Sequence, residues 1–447
     1  MSKTINSHLD KISFNFFLFA IIILPFSFAT KDIIGKEITW VDPSLVIILF
    51  VFLSLILNKN SKILPRNASL LISSLVFIYF LSSLINFFTN QHNDLEFLRE
   101  PLRFGLSLLV FYTTYYFSKD PNKKISILSI MGIAATLQFF IAIYFLGVFL
   151  LHLPSFLNIE EFVTDYFKRQ LIFYKVPIPR LGGTFFESPP FGLYMLCSFL
   201  TSYLLYKLTS SKLSVFYIVI TSLGVISSFS DQIIFSYLII VLFIFYKKIK
   251  KSQFYPLLLI IVVVFITYIS FLTMPSYQNK FSTISSGDYY GTSAGERYFH
   301  IMYSIELFLK NPKNIIIGIG PGIYGEYVSL IGMFPNTTTP QVTFFEILCE
   351  TGAIGFFLFT ITLVYLGKFL YKYYGLLGLG VLTVIIIGDG FQANWKWSSV
   401  FLMVGVFLVI PNKKATPQVV RFNELVPTEK TGLNLERKSA LIPRSVI

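Results

Sequence analysis

The stretch Pro179-Arg180-Leu181-Gly182-Gly183-Thr184-Phe185-Phe186-Glu187-Ser188-Pro189-Pro190 lies between two long apolar runs. It closes a polar loop and sets an arginine, two glycines, a carboxylate and two helix-starting prolines at the edge of the next apolar segment. The runs on either side decide the fold. The 447-residue chain is 54% hydrophobic, has a mean hydropathy of +0.70 and is charged at only 13% of positions. That charged share is about half of what a soluble domain carries. A soluble chain could not hide so much apolar surface. The sequence therefore predicts an all-α polytopic membrane protein.

Working outward, the apolar segments predict about twelve transmembrane helices, at about residues 13–30, 43–57, 69–88, 102–117, 125–151, 190–207, 213–229, 232–246, 254–274, 342–366, 376–390 and 397–410. The first span is read as kinked at Pro25. That reading leaves the topology unchanged; Ser27-Phe28-Ala29 also resembles a signal-peptide cleavage site. One alternate set of loops carries Lys59, Lys62 and Arg66; Lys119, Lys123 and Lys124; Lys207 and Lys212; Lys247, Lys248, Lys250 and Lys251; and Lys368 and Lys372. The other set is mixed or acidic, with Asp32, Glu37, Asp94, Glu96, Glu100, Glu160, Glu161 and Asp231. The positive-inside rule then puts both termini in the cytoplasm. Residues 1–410 read as a single membrane domain and 411–447 as a flexible cytoplasmic tail.

A net charge of +13 would suggest nucleic acid for a soluble protein. Here the lysines flank apolar spans, so topology and anionic lipid headgroups account for them, and no nucleic acid is expected. Cys197 and Cys349 fall in apolar segments, and with only His8, His92, His152 and His300 there is no disulfide framework and no metal-ligand spacing. No Walker loop or dinucleotide fingerprint occurs. The cytoplasmic loops, about a dozen residues or fewer, leave no room for a nucleotide-sugar domain or an ATPase.

The outer side has two long loops, about 152–189 and 275–341, each expected to hold short helices. The first reads as an amphipathic helix near 158–174, then Val176-Pro177-Ile178-Pro179 and the Arg180 stretch. In the second, Ser293-Ala294-Gly295-Glu296 has the spacing of a capping box opening a helix that runs to about Lys310 and stops at Asn311-Pro312. Gly318-Ile319-Gly320-Pro321-Gly322 follows, a run whose N–H groups could cradle an anion, and then Pro335-Asn336-Thr337-Thr338-Thr339-Pro340-Gln341.

Nine of the 36 basic residues are arginines, and five of these, Arg99, Arg103, Arg169, Arg180 and Arg297, fall on the outer side, against the positive-inside trend. A guanidinium fork matches phosphate oxygens and stays charged at any working pH. Outer arginines therefore suggest a diphosphate-linked, lipid-borne substrate. Local pairing, as of Arg99 with Glu96 or Glu100, is the plainer account of the others; Arg180 and Arg297 stand in glycine-bearing contexts. Glu187 either complements the charge of the helix that follows or acts as a general base. Glu296 fits the capping box, and Arg297, His300 and Ser304 share a helix face at i, i+3 and i+7, with His300 a local hydrogen-bonding residue or a direct participant. Glu346 and Glu350, at i and i+4 in an apolar span, face the same way, and carboxylates in such places are costly.

In this order the pieces resemble the O-antigen ligase and Wzy-type O-antigen polymerase superfamily. The resemblance spans about residues 175–370. It rests on Arg180-Leu181-Gly182-Gly183-Thr184-Phe185-Phe186-Glu187-Ser188-Pro189, on Glu296-Arg297, on Asn311-Pro312 before Gly318–Gly322, and on Gln341-Val342-Thr343-Phe344-Phe345-Glu346-Ile347-Leu348-Cys349-Glu350-Thr351-Gly352-Ala353-Ile354-Gly355. It implies a GT-C-like glycosyltransferase of the bacterial inner membrane. Such an enzyme uses undecaprenyl-diphosphate-linked glycans as donor and acceptor at the periplasmic face and needs no cofactor, metal or nucleotide sugar. A chain-length regulator and a flippase are the further partners it brings to mind.

Arg180 and Arg297 match the family's functional arginines and would bind the diphosphate. Gly183, His300, Gln341 and Glu350 join them as expected substrate-binding residues, and Glu187 and Glu346 are the candidate bases. Ligases carry a histidine just before the span that begins here at Val342; this chain has Pro340-Gln341-Val342-Thr343. That difference favours a polymerase of O-antigen or related surface polysaccharide over a ligase transferring glycan to lipid A-core. A lipid-linked oligosaccharide flippase is the other alternative. It is disfavoured because polar chemistry gathers outside the spans and the two halves are not visibly similar.

Overall fold

The computed structural model describes residues 2–26, 43–57, 66–90, 96–153, 163–168, 179–185, 187–249, 293–331, 342–389 and 398–410. The expected ninth span at 254–274, the tail from 411 and Gln341 lie outside the described residues. Among the described residues the regular structure is helical. The helices are α1 Ser2–Ile23, α2 Pro43–Leu57, α3 Arg66–Asn90, α4 Glu96–Ser118, α5 Pro121–Leu151, α6 Ser188–Thr209, α7 Lys212–Ser227, α8 Asp231–Ile249, α9 Ser293–Leu309, α10 Pro312–Ile317, α11 Tyr324–Leu330, α12 Thr343–Tyr374, α13 Leu376–Thr383 and α14 Ser398–Phe407. By length and composition, three of them, α5, α6 and α12, can cross a membrane.

Helix starts follow the local chemistry. Asp120 accepts from the N–H groups of Asn122 and Lys123 ahead of α5, with Pro121 in the first turn. Ser211 accepts from Ser214 N–H at the start of α7. Asn311 caps α10 through Asn314 N–H, again with proline in the first turn. Each cap takes up N–H groups that the helix cannot satisfy itself. Near Pro25, α1 gives way to a 3-10 turn at Leu24–Phe26, and the rest of the expected first span, 27–30, lies outside the described residues. A proline there lacks the N–H and would crowd the carbonyl four residues back. The span expected at 342–366 is α12, which runs on to Tyr374 and is broken at Gly352, whose φ of 66° and ψ of −167° are not helical.

α6 is the centre of the packing: 78% of its apolar window is buried within the protein, against 39% for α5 and 44% for α12. It packs on α5, α7, α8 and α14. Gly192 permits one close approach, since a Cβ there would stand 2.6 Å from Ser228 Oγ at the α7–α8 corner. Opposite ends of the long helices form distinct polar clusters. Tyr374, at the last residue of α12, donates to Val409 C=O, and Lys124 Nζ reaches Tyr374 Oη at 3.2 Å and Val409 C=O at 3.4 Å. Lys123 nearby is paired with Asp10 of α1. This cluster holds residues from the predicted cytoplasmic side, and Glu346 and Glu350 lie toward the other end of α12.

The break in α12 is held by backbone from the loop after α10. Ile319 N–H donates to Cys349 C=O at 2.9 Å and Gly320 N–H to Glu350 C=O at 3.1 Å. Gly318, at φ 77°, and Gly352 are the contact points: a Cβ on Gly318 would run into the Glu350 carbonyl, and one on Gly352 would stand 2.5 Å from the Ile316 carbonyl. Gly352→Ala meets both overpacking and left-handed strain, and we expect it to destabilise by at least about 2 kcal/mol. Gly105→Ala, whose Cβ meets nothing within 4 Å, should cost nothing and raise stability by up to about 1 kcal/mol, since alanine is the better helix former. Thermal unfolding in detergent, followed by loss of the monodisperse peak, compares the two.

Candidate functional site

Three segments converge around Arg180 and Arg297. The first is the turn before α6. Leu181 N–H donates to Ser227 C=O at 3.0 Å, tying the turn to the end of α7, and Tyr166 Oη donates to Arg180 C=O at 3.2 Å. Gly183 is buried at φ 53°, and a Cβ there would meet Gln138 Oε1 at 3.1 Å and the Phe191 ring at 3.2 Å. Thr184 Oγ1 sits 2.6 Å from Pro25 C=O and 2.9 Å from Gln138 Oε1. The turn is thus seated on α5 by a side-chain amide in mid-helix. Gly183 belongs to that seating.

The second segment is the α7–α8 corner. Phe229 takes φ 44° and Ser228 Oγ accepts from Ser230 N–H at 3.4 Å. The corner delivers Asp231, exposed, and Gln232, half-buried, at the first turn of α8. The third is the first turn of α9, which carries Glu296 and Arg297. Arg297 Nη1 donates to Gln232 Oε1 at 2.9 Å. Burial lowers the Arg297 pKa from its usual value. Asp231 and Glu296 oppose that shift, and Arg180 adds to it as a like charge. Arg180 and Arg297, about a hundred residues apart in sequence, are therefore neighbours electrostatically.

The remaining candidates fall into different settings. Glu187 is exposed at the start of α6 and makes no side-chain cap to that helix. It stands seven residues after Arg180 on the same turn. His300 is fully buried; its Nδ1 lies 2.8 Å from Tyr324 Oη, and its C=O accepts from Ser304 Oγ at 2.6 Å. Glu296 Oε1 is 3.8 Å from His300 Nε2, beyond hydrogen-bond distance. His300 thus locks α9 to α11 behind Arg297, and burial raises the Tyr324 hydroxyl above its ordinary pKa.

Glu346 and Glu350 are both fully buried. The Glu350 carboxylate accepts from Gly322 N–H at 3.0 Å and from Tyr79 Oη at 3.1 Å. The anion that the Gly318–Gly322 loop cradles is thus this chain's own glutamate. Further support comes from one face of α3. Ser82 Oγ lies 2.6 Å from Ile317 C=O and 2.7 Å from Glu350 C=O, and Asn86 Nδ2 donates to Gly318 C=O at 3.2 Å. Lys313 Nζ donates to Asn86 Oδ1 at 2.6 Å, and burial lowers its pKa.

Sequence reading passed over Tyr79, Ser82, Asn86, Gln138 and Gln232. The first three had a signal: polar groups at i, i+3 and i+7 in an apolar span mark a buried polar face. Gln138 was a lone amide among apolar neighbours. Gln232 had no local signal beyond its place beside Asp231.

An all-α protein with apolar helices long enough to cross a membrane is the class these observations define. Residues 216–360 match the sequence model of the Wzy_C family, described as O-Antigen ligase. That match supports the O-antigen ligase and polymerase superfamily, whose members are glycosyltransferase-like enzymes acting on lipid-linked glycans. The matched stretch contains Gln232, Arg297, the Gly318–Gly322 loop and the break at Gly352; it leaves out the Arg180 turn. A search of curated proteins found no match.

Glu350→Ala would strand the Gly322 N–H and the Tyr79 hydroxyl in a buried place, at about 1–3 kcal/mol for each unsatisfied group. Glu350→Gln keeps one acceptor oxygen and should lie between wild type and alanine. Detergent melting curves that rank the three otherwise would remove the bracing role.

Proposed function

We propose that the protein is a membrane glycosyltransferase that polymerises undecaprenyl-diphosphate-linked repeat units of a surface polysaccharide at the periplasmic face of the bacterial inner membrane. We keep the twelve-span count with both termini cytoplasmic for this reading. One observation carries it. Leu181, next to Arg180, is hydrogen-bonded to Ser227, Arg297 is hydrogen-bonded to Gln232 at the same α7–α8 corner, and Arg180 acts on Arg297 as a like charge. A diphosphate set between two neighbouring guanidinium groups would meet donors from both forks.

In the reaction, an acceptor sugar hydroxyl attacks the anomeric carbon of the donor glycan. The new carbon–oxygen bond forms as the bond from the anomeric carbon to the carrier diphosphate breaks. Charge grows on the leaving diphosphate, and fixed guanidinium donors aimed there stabilise it in the transition state more than in the ground state. The hydroxyl proton passes to a carboxylate. We assign that role to Glu187, because it is exposed beside the arginine turn, whereas Glu346 is buried.

The family description names a ligase, and a ligase acting on lipid A-core is the second reading. The sequence Pro340-Gln341-Val342-Thr343, without the histidine that ligases carry there, supports the polymerase. The size profile of surface polysaccharide in cells lacking the gene separates the two. A single repeat unit on its acceptor with no ladder is the expected result; loss of all attached repeats, with lipid-linked polymer accumulating, means a ligase. Accumulation of single units on the cytoplasmic leaflet means a flippase.

Complementation with Arg180→Ala or Arg297→Ala should fail to restore the ladder while membrane insertion stays intact. Glu187→Gln should cut turnover by about 10²-fold or more, the scale of general-base catalysis, without weakening donor binding. Undiminished turnover would return Glu187 to complementing the charge of α6.

A further inference from the structure

We propose that Gln232 is a positioning residue for the carrier diphosphate: it aims the Arg297 guanidinium through a neutral acceptor, so that the cation is oriented without the fork being closed by a carboxylate. The inference rests on the reading above that Arg297 meets the diphosphate. It adds the residue that sets Arg297's direction.

The geometry has three parts. Arg297 Nη1 donates to Gln232 Oε1 at 2.9 Å, between the first turn of α9 and the first turn of α8. The residue beside Gln232 is the carboxylate Asp231, which together with Glu296 acts on Arg297 as an opposite charge. Yet the side chain that makes the hydrogen bond is the amide. The usual partner of a part-buried arginine is a carboxylate, because a bidentate ion pair repays desolvation of the cation. A carboxylate at position 232 would also occupy the guanidinium and compete with an anionic substrate. An amide of the same length fixes one nitrogen and leaves the other donors of the fork for phosphate oxygens.

The other end of the amide points the same way. Gln232 Nε2 is buried and, among the described residues, has no hydrogen-bond partner. Buried donors are seldom left so. A substrate oxygen held against Arg297 would take that N–H. Gln232 thus offers one oxygen to the protein and one nitrogen to the ligand. Its anchorage suits the task. The α7–α8 corner is fixed to α6 by Gly192 against Ser228, and to the Arg180 turn by Leu181 N–H to Ser227 C=O. The corner thus touches both arginine-bearing segments.

The test is charge against shape. Gln232→Glu is nearly isosteric but closes Arg297 into an ion pair. Gln232→Ala removes the side chain altogether. Farnesyl diphosphate, titrated into the purified full-length protein in detergent, is the probe. We expect Gln232→Glu to raise the dissociation constant by tenfold or more, to exceed the effect of Gln232→Ala, and to flatten the dependence of binding on salt. A residue that merely packs would show the reverse order, with alanine the worse.

Wild-type affinity in Gln232→Glu, while Arg297→Ala loses binding, would overturn the inference and keep the proposed function. Wild-type affinity in Arg297→Ala would overturn the diphosphate site itself. Gln232→Met covers the case in which the glutamate variant does not fold. It keeps length and neutrality without an amide, and we expect a several-fold loss of affinity; unchanged affinity would overturn the inference.

Discussion

A helix in apolar surroundings can break only where other groups take over its backbone hydrogen bonds. That constraint governs the half of the molecule described around α12. The break at Gly352 exposes the carbonyls of Cys349 and Glu350. Ile319 and Gly320 N–H groups and the Ser82 hydroxyl answer them. The same loop is held from the other side by the Glu350 carboxylate at Gly322 N–H and by Asn86 at Gly318 C=O. Two glycines in left-handed backbone let the strands of chain approach closely enough for this exchange. The break, the loop and the polar face of α3 are therefore one unit, and α9 and α11 are stacked on it through His300 and Tyr324.

Against that frame, charge is placed sparingly. The buried carboxylate Glu350 and the buried His300 are used to hold chain segments together. Arg180 and Arg297 are only half-buried, in the turn before α6 and the first turn of α9. The α7–α8 corner links them: Ser227 receives Leu181 N–H and Gln232 receives the Arg297 guanidinium. Under the proposed function this corner would present donors to an anionic leaving group, and preorganised donors need no rearrangement as charge develops.

Helix positions were largely legible in the sequence, because apolar run length, proline and Asx or Ser caps act locally. Pro43–Leu57 matches the expected second span, and Asn311-Pro312 both stops α9 and starts α10 as local chemistry requires. The 3-10 turn at Pro25 and the break at Gly352 were harder. A glycine or proline in an apolar run signals a weak point, but whether the helix bends, ends or breaks depends on partners far away in sequence. For Gly352 those are Ile316 to Gly320, more than thirty residues earlier. Arg180 and Arg297 stood out in the sequence by residue type, by their glycine-bearing contexts and by the family resemblance. The amide that joins Arg297 to α8 was not visible, since nothing in Asp231-Gln232 says which side chain will face α9. The role of Glu350 as the loop's internal anion was equally hidden, because the sequence shows a carboxylate and a glycine run but not that one fills the other.

Under the proposed function, this one membrane protein joins diphosphate-linked repeat units to each other at the face that carries Arg180 and Arg297. Reconstitution measures it most directly. The purified protein in liposomes is given a single substrate, an undecaprenyl-diphosphate-linked repeat unit, and both the glycan chain length and the released carrier are followed. The account predicts a ladder of lengthening lipid-linked chains, with one undecaprenyl diphosphate released for each glycosidic bond formed. No elongation from that substrate alone, with transfer appearing only when a lipid A-core acceptor is added, would contradict it.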